Sequence, residues 1–202
     1  MITRGWRQSV IDYIRIEAQP EDKFGHQPRV YALATRIADG MGYDDDILFA
    51  AAWMHDLGVF TGHRPKDAAQ LSAWNHVPYT IHRSRELLTT WGFPVEKLDG
   101  VEAAIRYHQA KDKPITAEGI LMRDADILEQ LGAIGILRAA VKIGRDTRYR
   151  SFSSIVPVLN EAVNHLASQT RLTSSKIMAE SRARMLRSFI TAIHDEAGDM
   201  LH

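Results

Sequence analysis

The sequence contains no cysteine among its 202 residues. This absence excludes disulfide bonds and thiolate-ligated metal sites, so a metal ion would have to be bound by histidine, aspartate or glutamate. No apolar run reaches the roughly 18 residues that a membrane-spanning helix needs. Residues 1–19 carry acidic side chains and have no continuous apolar core, which argues against a signal peptide. We therefore expect a soluble, cytoplasmic protein with no membrane partner.

An excess of charge of one sign is also absent, since 25 lysines and arginines balance 25 aspartates and glutamates. This balance gives no electrostatic reason to expect a nucleic acid polymer or a membrane surface as the main partner. A local basic pocket remains compatible with it. The hydrophobic share of 45% is ordinary for a globular protein, and the length is sufficient for one domain with a sizeable core.

Signals for β-strands are nearly absent, because no run alternates β-branched and polar residues. The apolar residues recur instead at helical spacing, as in the stripe formed by Val30, Leu33, Ala34 and Ile37. We therefore predict an all-α protein. Its predicted helices include residues 47–55, 81–90, 117–131, 155–166 and 174–194.

Several imidazoles and carboxylates fall on apolar faces of these predicted helices. His26 lies four residues before Val30, and His55-Asp56 ends an apolar stretch just before Gly58. His108 shares a face with apolar residues in the same way. A buried polar group without a partner is costly, and a shared cation is one economical partner for several of them. Nitrogen and oxygen donors of this kind suit Mn, Fe, Co, Ni, Zn or Mg.

Each of these residues also has a simpler explanation when it is taken alone. A core histidine is commonly satisfied by a backbone carbonyl, and a His-Asp pair at a helix end can make a capping hydrogen bond. Two carboxylates, Asp124 and Asp126, compete as a further ligand, and spacing does not choose between them. His63 and His76 fall in a predicted loop, where we expect solvated side chains.

The order His26, His55-Asp56, Asp126 resembles the HD superfamily of metal-dependent phosphohydrolases. The segments "HDLG", "IHRSRELLTTWGFP", "VEAAIRYHQAKDKP" and "LMRDADILEQLGAIGILRA" are similar to small bacterial HD hydrolases of the YedJ/YpgQ type. The resemblance covers about residues 24–140 and continues weakly in "ESRARMLRSFI" of the last predicted helix.

The resemblance implies an all-α HD-domain helical bundle and a single domain over residues 1–202. Its motif region covers about 24–140 and its C-terminal helices about 155–196. The resemblance also implies that one divalent ion, whether Mn, Mg, Fe, Co, Ni or Zn, is bound by four ligands and that Asp126 is chosen over Asp124. These implied metal ligands are His26, His55, Asp56 and Asp126.

By position, His82 and His108 match two histidines that hold a second metal in some members of the superfamily and contact phosphate or water in others. A second metal is therefore possible. The implied reaction is hydrolysis of a phosphate ester or anhydride, with Asp56, His82 and His108 as catalytic residues. The expected substrate is a small phosphorylated metabolite, most simply a nucleotide, cleaved by a pyrophosphohydrolase or a nucleotidase. The expected contacts to substrate phosphate are Arg29, His82, Lys111 and Lys113.

Two other functions fit the same residues. One is a non-catalytic HD module that binds a nucleotide or acts in signalling, although all four implied ligands are retained here. The other is a two-metal HD-type oxygenase, in which His82 and His108 would complete the second site. The apolar stripes of the C-terminal helices are expected to be core or the surface of a homodimer.

Overall fold

The computed structural model describes residues 5–145 and 149–202, and within these ranges it contains helices and no strands. The all-α fold predicted from the sequence is confirmed. The described α-helices are α1 Trp6–Glu17, α2 His26–Ile37, α3 Asp45–Met54, α4 Ala68–Ser72, α5 His76–Thr90, α6 Leu98–Arg106, α7 Ala117–Glu129, α8 Gly132–Ala140, α9 Val156–Glu161 and α10 Thr173–Ala197.

The helix bounds differ from the predicted ones most at α5. This helix begins at His76 and not at residue 81, because Asn75 caps it by accepting a hydrogen bond from the amide of Val77. Pro78 lies in the first turn, where a missing amide hydrogen costs nothing. The predicted helix over 155–166 is also interrupted, since α9 ends at Glu161 and a π-helical turn follows.

The chain divides into two compact units, residues 1–123 and residues 124–202. The predicted single domain over 1–202 stays a prediction, and each unit is described by itself below. None of the described helices is long and apolar enough to cross a membrane.

The core of the first unit is built around α3. Every residue of α3 from Leu48 to Met54 is buried, and this helix packs against α1, α2 and α6. An all-round apolar helix of this kind is stable only at the centre of a packed unit. Val10 and Ile14 from α1 and Ile105 from α6 complete the surrounding layer. The C-terminal end of α3, where His55 and Asp56 follow, is therefore held firmly.

The N-terminus of α3 is fixed by charge. The Asp44 carboxylate accepts hydrogen bonds from the amides of Asp46 and Ile47, as an N-cap residue does. Lys97 donates to both Asp44 and Asp46, and Arg7 donates to Asp46 at 2.7 Å. The hydrogen bonds from Arg7 and then Lys97 lower the pKa of Asp46. Acids in the first turn of a helix also interact favourably with its dipole.

The second unit contains the end of α7, then α8, α9 and α10. Its buried carboxylate Asp124 accepts hydrogen bonds from the amides of Arg171 and Leu172, at 2.8 and 2.9 Å, just before α10 begins. At Gly135 of α8, an added Cβ would come within 2.3 Å of the Gln130 carbonyl oxygen, so this approach requires glycine. These contacts join α7 to the chain just before α10, and the residue after α7 to α8, within the unit.

We expect the substitution Asp44→Ala to lower the free energy of unfolding by about 1 kcal/mol at pH 7, because α3 loses its N-cap. Burial alone would raise the pKa of Asp44, but hydrogen bonds from Lys97 and two amides outweigh it and lower the pKa. The contribution of this carboxylate is therefore present above the ordinary aspartate pKa of about 3.9 and is lost as the pH falls through the lowered value.

Urea unfolding of the wild type and the variant at pH 7 and at acidic pH measures this contribution. The difference in free energy of unfolding between the two proteins should become smaller in acid, where the Asp44 carboxylate of the wild type is protonated. A difference that stays constant with pH would contradict a charge-dependent cap.

Candidate metal centre

The site begins where α3 ends. His55 is the C-cap residue of α3, and Asp56 follows with φ −102° and ψ 12°, outside the helical region. The chain then enters a short 3₁₀ turn at Leu57–Val59. On a continued helix, adjacent side chains would point about 100° apart. The change of backbone direction at Asp56 allows its carboxylate to lie beside the imidazole of His55.

Three ligand atoms from α2 and the end of α3 form a compact triangle. The Nε2 atoms of His26 and His55 are 3.1 Å apart. Asp56 Oδ2 lies 3.6 Å from His26 Nε2 and 3.7 Å from His55 Nε2. Two donors bound to one ion at about 2.1 Å are roughly 3.0–3.4 Å apart for angles of 90–109°. The distance between the two Nε2 atoms falls within this range, and the two distances to Asp56 Oδ2 exceed it slightly. The spacing is therefore close to that which one divalent ion requires.

Backbone carbonyls orient the two histidines that follow helix ends. His55 Nδ1 lies 2.9 Å from the Ala52 oxygen, and His108 Nδ1 lies 2.6 Å from the Ile105 oxygen. A carbonyl oxygen only accepts, so Nδ1 carries the proton in both rings. In the neutral imidazole, Nε2 then presents its lone pair, which is the form that ligates a metal. The hydrogen bond to the other ring nitrogen is the usual support of a ligating histidine.

The second oxygen of Asp56 faces another pair of imidazoles. Asp56 Oδ1 lies 3.6 Å from His76 Nε2, and the rings of His76 and His108 are 5.5 Å apart. Ligand atoms of Asp56, His76 and His108 lie within 4.8 Å of one another, as do those of the first group. Asp56 therefore belongs to two overlapping ligand groups, with one oxygen directed to each.

The electrostatics of the centre favour an ionised carboxylate. Burial alone would raise the pKa of Asp56, whose side chain is only 17% exposed. Electrostatic attraction to the surrounding imidazoles outweighs burial and holds the pKa of Asp56 well below its usual range. The imidazoles responsible are those of His55, His26, His108 and His76.

Gly58 explains how α5 approaches this carboxylate. A Cβ at position 58 would lie 2.9 Å from the backbone oxygen of His76 and 3.0 Å from Thr80 Oγ1. The Gly58 amide donates to Thr80 Oγ1 at 3.0 Å, and Trp74 Nε1 donates to the Gly58 oxygen at 2.8 Å. Only glycine permits the turn after Asp56 to pack this closely against the start of α5.

Asp126, the fourth ligand that the resemblance implies, lies in the second unit and stays a prediction. Its side chain is half-buried, and Gln130 Nε2 lies 3.3 Å from its Oδ2. The competing carboxylate Asp124 is fully buried and accepts the two amides before α10, which gives it a structural role. This role favours Asp126 over Asp124 as the candidate ligand.

His82 is not part of the cluster. Its side chain is 77% exposed, and its Nε2 lies 3.3 Å from the carboxylate of Glu86 one turn along α5. His76 faces Asp56 instead, so the expectation of a solvated His76 was wrong. The start of α5 decides the difference, because His76 and Thr80 share the face that contacts the turn after Asp56. The capping residue Asn75 was the signal in the sequence that could have placed this helix start correctly.

The predicted phosphate contacts other than His82 differ in how far they are buried. Arg29 is half-buried on α2, close to His26, and its guanidinium lies against Gly25. Lys111 and Lys113 are exposed in the loop that follows His108. Their roles remain proposals.

Comparisons with known proteins agree with this architecture. The family model described as "HD domain" matches residues 24–131. Bacillus subtilis YpgQ in complex with ADP is 22% identical with a TM-score of 0.69, over 96% of this chain and 99% of that one. A predicted HD-superfamily hydrolase from an uncultured Thermotogales bacterium is 23% identical with a TM-score of 0.65, over 95% and 92%.

An HD-superfamily hydrolase from Bacillus thuringiensis is 21% identical with a TM-score of 0.68, over 94% of this chain and 95% of that one. At these identities the likeness shows a shared fold. No curated protein matches the chain. The family model alone covers more than half of the residues, and it includes the His26, His55-Asp56 and Asp126 positions. The chain therefore belongs to the HD domain family, as the order of these histidines and aspartates predicted.

Proposed function

We propose that this chain is a divalent-metal-dependent phosphohydrolase whose substrate is a small phosphorylated metabolite, specifically a nucleotide. The observation that carries the proposal is the Asp56 carboxylate surrounded by four imidazoles in two overlapping ligand groups. Such a cluster exceeds what a capping pair or a core histidine needs. Membership of the HD domain family supports the same chemistry.

His26, His55 and Asp56 would hold the ion, with Asp126 as the proposed fourth ligand. His76 and His108 share Asp56 and would hold a second ion if one binds. Imidazole-rich sites favour transition metals such as Mn, Fe, Co, Ni or Zn over Mg. A divalent ion bound there would lower the pKa of a coordinated water and neutralise charge on phosphate oxygens.

The side chains of this centre have complementary roles toward a phosphate substrate. The lowered pKa of Asp56 favours its ionised carboxylate, which can hold a water molecule in position by accepting a hydrogen bond from it. His108 is anchored through Nδ1 to the Ile105 oxygen, so Nε2 is the nitrogen it can turn toward a ligand. In its imidazolium form, His108 can donate the Nε2 proton to a leaving oxygen.

Cationic side chains would bind the rest of the phosphate chain. Arg29 lies on the same helix as His26, and Lys111 and Lys113 follow His108 within five residues. Guanidinium and ammonium groups bind phosphate oxygens through charge-assisted hydrogen bonds. The ADP bound to Bacillus subtilis YpgQ, a protein of the same fold, supports the choice of a nucleotide.

An oxygenase with two metal ions is the second candidate, and the shared carboxylate of Asp56 is the observation that favours it. Asp56 Oδ2 lies near His26 and His55 and Oδ1 lies near His76, so two ions held by the two groups would share this carboxylate. Metal analysis and oxygen uptake separate this candidate from a hydrolase.

The first test is hydrolysis of nucleoside mono-, di- and triphosphates by metal-loaded protein, with Mn²⁺ or with EDTA, and chromatography of the products. We expect Mn²⁺-dependent hydrolysis, and the substitution Asp56→Asn should reduce it at least roughly 100-fold, because an amide is a poor metal ligand. Asp67→Asn is the matched control, since Asp67 is the exposed N-cap of α4 and asparagine caps equally well.

The products distinguish the forms of the hypothesis. Pyrophosphate and a monophosphate from triphosphates indicate a pyrophosphohydrolase, and free phosphate from monophosphates indicates a nucleotidase. Normal metal binding and turnover by Asp56→Asn would make the site assignment wrong. Two irons per chain with oxygen uptake and no hydrolysis would favour the oxygenase, and metal-independent nucleotide binding without turnover would favour a binding module.

A second prediction separates the two histidines of α5. The substitution His76→Ala should weaken activity at least about tenfold, because it removes a side chain 3.6 Å from Asp56. His82→Ala should change activity less than about twofold, since that imidazole is 77% exposed and pairs with Glu86. Steady-state kinetics and metal content of both variants measure the difference. A loss of activity in His82→Ala with normal activity in His76→Ala would restore the sequence-based assignment and reject the structural one.

A further inference from the structure

A second polar cluster lies beside the candidate metal centre in the first unit and is not explained by metal binding. His63 Nδ1 lies 2.7 Å from the Tyr79 hydroxyl, and His63 Nε2 lies 3.0 Å from Glu17 Oε2. The His63 side chain is only 8% exposed, so the expectation of a solvated histidine was wrong here as well. The three residues come from α1, the loop after the 3₁₀ turn, and α5.

The carboxylate of Glu17 decides which groups donate and which accept in this chain of three residues. A carboxylate only accepts, so His63 Nε2 donates to Glu17. When His63 is neutral, its Nδ1 is an acceptor, and the Tyr79 hydroxyl donates to it. Each member fixes the orientation of the next, in the way that a carboxylate orients a histidine in many sites. The chain therefore holds Tyr79 in one place relative to α1.

Tyr79 is placed to transmit this constraint to the metal centre. It lies three residues after His76, on the same face of α5 and about one turn from the beginning of the helix. The first residues of a helix lack part of their backbone hydrogen bonding and fray easily. His76 is the first residue of α5, so contacts of the first turn must keep its imidazole near Asp56.

Other contacts of the same turn act in the same direction. Thr80 Oγ1 accepts the Gly58 amide, and Trp74 Nε1 donates to the Gly58 oxygen. The rings of Tyr79 and Trp74 are 5.8 Å apart, and those of Tyr79 and His63 are 5.7 Å apart. The hydrogen bonds through His63 connect the start of α5 to α1, which packs against the central helix α3. A hydrogen bond between Tyr13 and Arg83 joins the same two helices one turn further along α5.

We propose that Tyr79, His63 and Glu17 are positioning residues that hold His76 against Asp56 and so set the metal affinity of the Asp56–His76–His108 group. The inference deepens the proposed function and rests on it, since His76 is used only as part of that centre. Ligand groups must be held within about 0.5 Å of their productive geometry to keep full affinity. Release of the first turn of α5 would therefore weaken metal binding without removing any ligand.

The substitution Tyr79→Phe tests this proposal, because it removes the hydroxyl and keeps the ring. Tyr31→Phe is the matched control, since it also removes a part-buried hydroxyl, which donates to Asp45 at 2.7 Å. Asp45 lies at the opposite end of α3 from the metal centre. Metal-stripped full-length proteins are titrated with Co²⁺ and followed by visible absorption. We expect Tyr79→Phe to weaken the weaker Co²⁺ binding step about tenfold or more, and Tyr31→Phe to change it less than about twofold.

A second readout does not depend on metal or activity. Histidine side-chain ¹⁵N–¹H spectra of the metal-free proteins should show altered His63 and His76 signals in Tyr79→Phe, with the His26 signal unchanged. Glu17→Ala, which leaves α5 untouched, should have the same effect on His76 and on Co²⁺ affinity. A smaller shift of His76 in Glu17→Ala than in Tyr31→Phe would overturn the proposal.

Equal Co²⁺ affinities and equal His76 signals in Tyr79→Phe and Tyr31→Phe would also overturn it. The failure of the proposed function has a different signature, which is the absence of Co²⁺ binding by the wild type itself. In that case the spectra of the metal-free variants still decide whether the three residues position His76.

Discussion

A carboxylate that is mostly removed from water is stable only when charges or hydrogen bonds replace its hydration. Asp56 is such a group, and the arrangement of the first unit supplies the replacements from several elements. His26 comes from α2, His55 from the end of α3, His76 from the start of α5 and His108 from the chain after α6. No two of these elements could shift apart without exposing or unpairing the same carboxylate. The placement of these four elements around the centre and the chemistry of the centre therefore depend on the same carboxylate.

The helix α3 shows why this carboxylate needs so many partners. At its N-terminus, Asp44 and Asp46 interact favourably with the helix dipole and are paired with Lys97 and Arg7. At its C-terminus, the dipole is negative, and a carboxylate at Asp56 is placed where the helix itself repels it. Imidazoles that can carry positive charge, or a divalent cation, remove this conflict. The apolar middle of α3, buried throughout, keeps the unfavourable end in position.

Much of this could be predicted from the sequence, because helical periodicity and the order of histidines and aspartates are local signals. The all-α fold, the family and the grouping of His26, His55 and Asp56 follow from such signals, whereas Asp126 as the fourth ligand stays a prediction. The choice between His76 and His82 does not, since it depends on where α5 begins. Because α5 begins five residues earlier than predicted, its first turn carries His76 toward the turn after Asp56, and the capping residue Asn75 marks that start.

The chain from Glu17 through His63 to Tyr79 illustrates a second limit of sequence reasoning. Its members are separated by 46 and 16 residues and share no spacing that a helical or turn pattern would reveal. Each of these residues, taken alone, is of a type that is common on exposed surfaces. Close packing at Gly58 brings the 3₁₀ turn against the start of α5, and the loop after that turn places His63 beside Tyr79. A small residue chosen for backbone approach thus determines which polar side chains meet, and through them how firmly the first ligand of α5 is held.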